Sequence, residues 1–212
     1  MESGAGWRFS SATANLKRST SVVFDMNDKR RTTVSKFLSK HLRHEPEALG
    51  LTLQPGGWVT IDDLLAAAAR NGFPITSAEL DEVVRTNPKQ RFSIDETGKL
   101  IRANQGHSTA VDLQLEPAEP PPLLFHGTGS QTVSFILADG LMKMLRHHVH
   151  LSADVDTARR VGMRHGKPAI FQIDAAKMTA DGYTFFVSAN GVWLTEAVPP
   201  AYLSLLGQAT GD

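Results

Sequence analysis

Arginine and histidine recur in this chain where a helix or strand would end, and few acids stand among them. Arg43 and His44 close a helical stretch, Arg91 opens an extended one, Arg146 precedes His147, His148 and His150, and Arg164 and His165 precede Gly166. His126-Gly127-Thr128 follows a short apolar run. A guanidinium group presents a rigid fork of donors that matches phosphate oxygens in pairs. An imidazole changes charge near neutral pH and can carry a proton. The set therefore suits a ligand with several phosphates. It suits a carboxylate-pair hydrolase poorly, and neither a G-x-S-x-G elbow nor a P-loop is present. With no cysteine in the chain, thiolate nucleophiles, disulfides and thiolate-held metals are excluded.

Each candidate also has a plain structural reading. Cations at the end of a helix complement its dipole, which accounts equally for Arg43 and His44. His126 can be a turn residue, and its glycine neighbours either let backbone approach a ligand or simply make the turn. Arg164-His165-Gly166 reads by itself as a cationic cap closed by glycine. Alternation sets His147 apart from the face shared by His148 and His150, and without a neighbouring carboxylate or cysteine the run argues against zinc. Trp58 and Trp193 read as core anchors rather than platforms for bases.

The elements that must position these residues follow from periodicity. Val34, Phe37, Leu38 and Leu42 make the apolar stripe of a helix that Pro46 stops. A Pro55-Gly56-Gly57 turn leads into a short strand at Trp58-Val59. Thr60 caps a second helix with Ile61, Leu64, Leu65 and Ala68 inward, closed by Asn71-Gly72. Thr76 and Glu79 form a capping box for a third helix with Leu80, Val83 and Val84 inward. Residues 91–94 and 99–102 flank a short Gly98-containing loop and predict a hairpin. This order is that of a winged helix.

Residues 109–122, ending in Pro117, Pro120, Pro121 and Pro122, predict a stiff linker. Beyond it, residues 123–125 predict a strand that ends in a Gly-rich turn at 126–129. Further expectations are a helix with Val133, Ile136 and Leu137 that ends at Gly140, a strand at 148–152 and a helix at about 155–161. A buried strand follows at 169–173, and a hairpin around Asn190-Gly191. The fold class is α+β: a lobe at 29–108, the linker at 109–122 and a mixed-sheet lobe at 123–212.

Lysine plus arginine and aspartate plus glutamate number 22 each, so overall charge advertises no nucleic-acid partner. The charges are unevenly spread. Lys29, Arg30, Arg31, Lys36, Lys40 and Arg43 crowd one segment with His41 and His44, whereas 110–122 holds Asp112, Glu116 and Glu119 and no base. No apolar run approaches the ~20 residues of a membrane span. The Ser-, Ala- and Gly-rich residues 1–28 lack a secretory signal and read as a disordered tail, although Arg8, Lys17 and Arg18 faintly resemble a transit peptide.

A run of motifs in order resembles the RNA 2′-phosphotransferase family. It begins with Ser39 to Arg43-His44 and Pro46, Leu49-Gly50-Leu51, Gly57-Trp58-Val59 and Arg91-Phe92. It continues through Ile101-Arg102 to Gln105-Gly106-His107-Ser108, Phe125-His126-Gly127-Thr128, Gly140-Leu141-Met142 and Arg146 through Ser152. It ends with Val161 through Gly166 and Asn190 through Leu194, so the likeness spans about residues 30–204. The resemblance implies an N-terminal winged-helix lobe and a C-terminal lobe of the ADP-ribosyltransferase fold that holds NAD⁺.

It also implies a reaction in two steps. The internal 2′-phosphate of RNA, as on a spliced tRNA, attacks the ribose carbon that bears nicotinamide. Nicotinamide leaves, and a 2′-phospho-ADP-ribosyl RNA remains. The adjoining 2″-hydroxyl then attacks phosphorus, releasing 2′-hydroxyl RNA and ADP-ribose 1″,2″-cyclic phosphate. By motif, Arg43, His44, Arg91 and Arg146 take the catalytic roles. His126, Gly127, Thr128, His150, Ser152 and Arg164 contact NAD⁺, and Lys89, Gln105 and His107 join Arg43, His44 and Arg91 against the RNA phosphate. No metal is expected. A phosphate monoester, with a second pKa near 6, is already anionic at neutral pH, so the first step needs no general base. Glu196 is the nearest carboxylate candidate and is assigned no role. Fixed guanidinium groups would hold the charge gathered on phosphorus in the second step, and His44 would shuttle its proton.

Two alternatives remain open at this point: ADP-ribosylation of a terminal phosphate on RNA or DNA, and a non-catalytic nucleic-acid-binding protein. The expected setting is a cytoplasmic monomer with 2′-phosphorylated RNA and NAD⁺ as partners and no membrane.

Overall fold

A computed structural model describes residues 26–207. The tail reading for residues 1–28 lies outside the described residues up to residue 25. Met26 is already buried, and Asn27 caps the first helix by accepting from the Arg30 backbone N–H at 2.9 Å, so ordered chain starts before residue 29.

Helix α1 (Asp28–Arg43) buries Val34, Leu38 and Leu42, the stripe read from spacing, with Phe37 packed against it. It stops three residues short of Pro46. Strand β1 (Trp58–Thr60) passes into α2 (Ile61–Arg70), where the Thr60 hydroxyl accepts from the Asp63 N–H at 3.1 Å. Helix α3 (Ser77–Thr86) opens with the complete Thr76/Glu79 capping box. Strands β2 (Phe92–Ile94) and β3 (Leu100–Ala103) complete an antiparallel sheet in the order β1-β3-β2. The predicted order of helix, strand, two helices and hairpin is therefore observed, around a buried cluster that includes Leu38, Leu64, Leu80 and Ile101.

The second half has its own buried cluster, built on Leu124, Leu151, Phe171, Ile173 and Met178. Strand β4 (Leu123–Gly129) is followed by α4 (Val133–Asp139), β5 (Leu141–Met142), β6 (Val149–Leu151) and α5 (Val155–Gly162). Then come β7 (Pro168–Asp174), α6 (Ala175–Ala180), β8 (Phe186–Val187), β9 (Trp193–Thr195), β10 (Ala197–Val198) and β11 (Leu203–Leu205). They form small antiparallel sheets in the orders β11-β7-β4, β6-β9-β8 and β10-β5. Phe125 and Ser152 exchange two backbone hydrogen bonds, of 2.8 and 2.7 Å, and so tie β4 to the end of β6. The architecture is a mixture of helices with several small antiparallel sheets.

Two expectations are corrected and one is extended. The Gly-rich residues 126–129 make no turn: β4 runs through them, paired with β7 as far as Gly129 against Pro168. The Pro-rich segment, expected as a stiff linker, also bonds to both halves. The Asp112 carbonyl accepts from the Gly56 N–H at 2.7 Å, Ala118 donates to the Phe185 carbonyl at 2.8 Å, and Leu113 is buried. Prolines remove donors, but their neighbours still pair. Leu137, read as part of an apolar face, is 45% exposed, because the face of α4 that meets the second core is carried by Val133 and Ile136. Among the described residues no helix is long and apolar enough to cross a membrane.

Candidate active site

Arg43 is the last residue of α1, and its free carbonyl is taken by the chain that leaves β3: Ser108 and Thr109 donate to it at 2.9 and 3.2 Å. Residues 104–108 thus fold over the helix end, with Gln105 half-buried among them. His44 Nδ1 lies 2.8 Å from the Ser108 hydroxyl. The Arg43 guanidinium is half-buried, 6.0 Å above the Phe92 ring, and its Nε and Nη2 have no hydrogen-bond partner among the described residues. Burial first, and then the positive charges of Arg91 and Arg146, lower its pKa to about 10. An unpaired, desolvated cation of this kind is costly unless an anion completes it. His44 is also held below its ordinary value, by partial burial and then by Arg43 and Arg146, so it can take up a proton only weakly before a reaction demands it.

The second half supplies the facing wall. His126 on β4 donates from Nδ1 to the His150 carbonyl on β6 at 3.0 Å, because a carbonyl can only accept. That fixes the tautomer and makes Nε2 an acceptor, suited to a hydroxyl donor. Arg146 Nη1 reaches His150 Nδ1 at 3.5 Å, the edge of hydrogen-bonding range, and in that arrangement the buried, unpartnered His150 Nε2 carries the proton. Burial, and then Arg146, hold His150 neutral with a pKa of about 3. The Thr128 hydroxyl pairs with that of Thr132 at 2.8 Å, and Ser152 sits half-buried beside Phe125.

The glycines of this strand have a packing reason. A Cβ on Gly127 would lie 1.7 Å from the Ala158 carbonyl of α5, and one on Gly129 would lie 2.4 Å from the His165 carbonyl. Their bare faces receive the helix and the turn after it.

Arg91 and Lys89 complete the first-half contribution. Asn87 accepts from Arg91 Nη1 at 3.2 Å and from the Lys89 N–H at 3.0 Å. Arg91 is depressed by burial and then by Arg164, and Lys89 by burial and then by Arg164 and Arg91. Arg43, His44, Lys89 and Arg91 from one half therefore stand within electrostatic reach of Arg146 and Arg164 from the other. Among the acids near them, Glu45 is the one that acts on His44, and it is itself paired to Lys40 at 3.0 Å.

One predicted contact does not survive. His107 is completely buried, neutral with a pKa of about 3 through burial and then Arg43, and packed near Gly57 and Leu113. It lies close enough to feel the charge of Arg43 and has no surface to offer an RNA phosphate. Residues that spacing did not reveal hold the halves together: Asn190 donates to the Lys89 carbonyl at 2.9 Å, and His147 donates from Nε2 to the Thr109 carbonyl at 2.8 Å. Asn190 was legible only as a turn residue, and no local signal marks a partner 101 positions away. His147, His148 and His150 diverge: His147 goes to Thr109, His148 lies 5.5 Å from the Phe186 ring, and His150 faces Arg146. Trp193 packs on the second core, whereas Trp58 lies half-exposed beneath Arg102 at 4.5 Å.

The model of a family described as "RNA 2′-phosphotransferase, Tpt1 / KptA family" matches residues 29–197. A protein of Trichormus variabilis named "Probable RNA 2′-phosphotransferase" is 60% identical over 181 residues, 85% of this chain and 100% of that one. Its namesake in Streptomyces griseus is 53% identical over 189 residues, 86% and 100% of the two chains. The one in Agrobacterium fabrum is 50% identical over 181 residues, 85% and 97%.

Proposed function

The chain belongs to the RNA 2′-phosphotransferase, Tpt1 / KptA family, and on that premise we propose that it moves the internal 2′-phosphate of RNA, of the kind left on a spliced tRNA, onto NAD⁺. The observation that carries this reading is the group formed by Arg43, Arg91, Arg146 and Arg164, drawn from both halves of the chain, with buried guanidinium nitrogens on Arg43 that no group among the described residues satisfies.

The order β1-β3-β2 behind three helices supports a winged-helix reading of residues 29–108, and the small sheets of 123–212 support an ADP-ribosyltransferase-like one. The residues present fit a dinucleotide. The acceptor nitrogen of His126 suits a ribose hydroxyl, and the unpartnered Nε2–H of His150 suits a phosphate oxygen, as do Arg146 and Arg164. Gly127, Thr128 and Ser152 complete that wall. When bound, NAD⁺ supplies an electrophilic ribose carbon and the neighbouring hydroxyl, so that phosphate leaves RNA by way of a 2′-phospho-ADP-ribosyl linkage as ADP-ribose 1″,2″-cyclic phosphate.

The protein's own work is to hold and to move charge. Arg43, Arg91 and Arg146 grip the phosphate oxygens, with Lys89 and Gln105 beside the RNA backbone. Their positions are fixed before reaction by Asn87, by the Ser108–Thr109 clasp and by the two links between halves, so little reorganisation is needed as negative charge grows. His44, largely neutral and steadied by Ser108, takes a proton from the attacking hydroxyl and returns it to the departing 2′-oxygen. The test is incubation with NAD⁺ and an RNA oligonucleotide carrying one internal 2′-phosphate. Release of nicotinamide together with loss of the phosphate is expected. Intact RNA with no nicotinamide release would defeat the reading.

A further inference from the structure

Arg146 also forms one wall of a groove of about 810 Å³ shared with Lys143, His148, Tyr183, Phe186 and Glu196. The volume lies within the about 300–1,000 Å³ of sites that hold small ligands. One side is aromatic. The His148 and Phe186 rings meet at 5.5 Å, and Tyr183, braced edge-on by Tyr202 at 5.4 Å, is 37% exposed. The other side is cationic, and it is built on a tight turn. Arg146 donates to the Lys143 carbonyl at 3.0 Å, Met144 takes a left-handed backbone at φ 54°, and Leu145 is 88% exposed. Glu196 holds Lys143 at 2.9 Å, but its side chain is 82% exposed. A solvated ion pair of this kind is worth little and opens readily.

We propose that this groove binds the nucleotide adjoining the 2′-phosphate along the RNA strand, with its base on the Tyr183–Phe186 wall and its backbone phosphate between Arg146 and Lys143. The choice of an RNA strand as occupant rests on the phosphotransferase reading. Arg146 belongs to both places, so a strand whose 2′-phosphate reaches the arginine cluster has its next nucleotide beside this groove. An exposed ring such as Tyr183, beside the half-buried Phe186 and a cationic edge, can grip a single strand by stacking and charge with little regard for base identity. Glu196 is then the one opposing charge, and Lys143 exchanges it for phosphate.

Fluorescence anisotropy of the full chain with a labelled hexanucleotide carrying a central 2′-phosphate reads the groove without turnover, and a single nucleoside 2′-phosphate competing for the site provides the short comparison. Stacking on one ring contributes enough that Tyr183→Ala should weaken the hexanucleotide about tenfold relative to the short ligand. Tyr183→Phe, which keeps the packing against Tyr202, should restore it. Lys143→Ala should weaken the hexanucleotide about threefold, and Glu196→Gln should tighten it by a similar factor, with both differences shrinking at high salt. Equal affinity of wild type for the two ligands, parallel losses on both, or a loss confined to NAD⁺ binding would overturn the proposal. A chain that prefers the hexanucleotide through these residues yet transfers no phosphate sinks the transfer reading alone. One that turns over but binds both ligands alike sinks the groove alone.

Discussion

The two ends of α1 carry the same residue type to opposite ends. At its start, Arg30 Nε lies 2.7 Å from Glu79 and its Nη2 donates to the Pro74 carbonyl at 2.6 Å, while Arg31 donates to Glu82 at 2.7 Å and to the Met26 carbonyl at 2.7 Å. At its finish, Arg43 has buried nitrogens with no partner among the described residues and two further arginines within electrostatic reach. The bond to Glu79 raises the Arg30 pKa, whereas burial lowers that of Arg43 to about 10. Charge used to join α1 to α3 is closed off from a ligand. Charge left uncompensated against other cations is stored for one. A basic cluster in a sequence therefore means little until its acids are located.

The sharpest way to break this contrast is to truncate both ends. Arg43→Ala should lower kcat/KM for phosphate transfer by about 10²–10³-fold, the usual cost of removing one preorganised donor. Its Tm should hold or rise, because a desolvated cation has gone, and Arg43→Lys should not recover the rate, since one ammonium cannot replace the fork. A large fall in Tm with unchanged kinetics would reverse the roles assigned to the two ends. Next in size, His44→Ala and Arg91→Ala should slow the second chemical step by about 10²-fold and the first much less. Labelled RNA should then accumulate as the 2′-phospho-ADP-ribosylated species on a denaturing gel, and substrate left untouched would dismiss this division of labour.

The site should also show itself in stability against pH. His107 and His150 have folded pKa values of about 3, against an ordinary value of 6.5. As pH falls below 6.5 the unfolded chain takes up protons that the folded one refuses, so stability drops through the window from 6.5 to 3, by at most about 1.4 kcal/mol per pH unit for each group. His107→Gln should remove one such share from the slope of Tm between pH 7 and 5, and an unchanged slope would show that His107 is not kept neutral. Smallest is the change at the paired end. Glu79→Ala loses half of a capping box and the Arg30 bond, and should cost about 1–2 kcal/mol in denaturant unfolding with kcat/KM intact. Its lowered pKa, due first to Arg30, places the matching acid sensitivity below pH 4.5. Stability from this pair is present above that pH and lost beneath it.

Much of the fold was legible because it is local. The stripe of Val34, Leu38 and Leu42, the Thr76/Glu79 box and the Asn190-Gly191 hairpin each depend on residues a few positions apart, and each is found. The glycines at 127 and 129 misled because a bare Cα looks the same in sequence whether a turn or a helix needs the space. The contacts of the Pro-rich segment were not legible, because composition reports missing donors and not the neighbours that still pair.

The sequence by itself determined that helices and short strands would form and in what order, and it pointed to arginine and histidine rather than cysteine or paired carboxylates as the candidate site residues. Only the tertiary structure decided which cations are consumed and which are kept: that Arg30 meets Glu79, that His107 is sealed beneath Arg43, and that Arg43 and Arg91 stand near Arg146 and Arg164. The reason is range. Helix periodicity, capping and turn formation act over a few residues and leave a trace in spacing, whereas burial and charge pairing join positions dozens of residues apart and leave none.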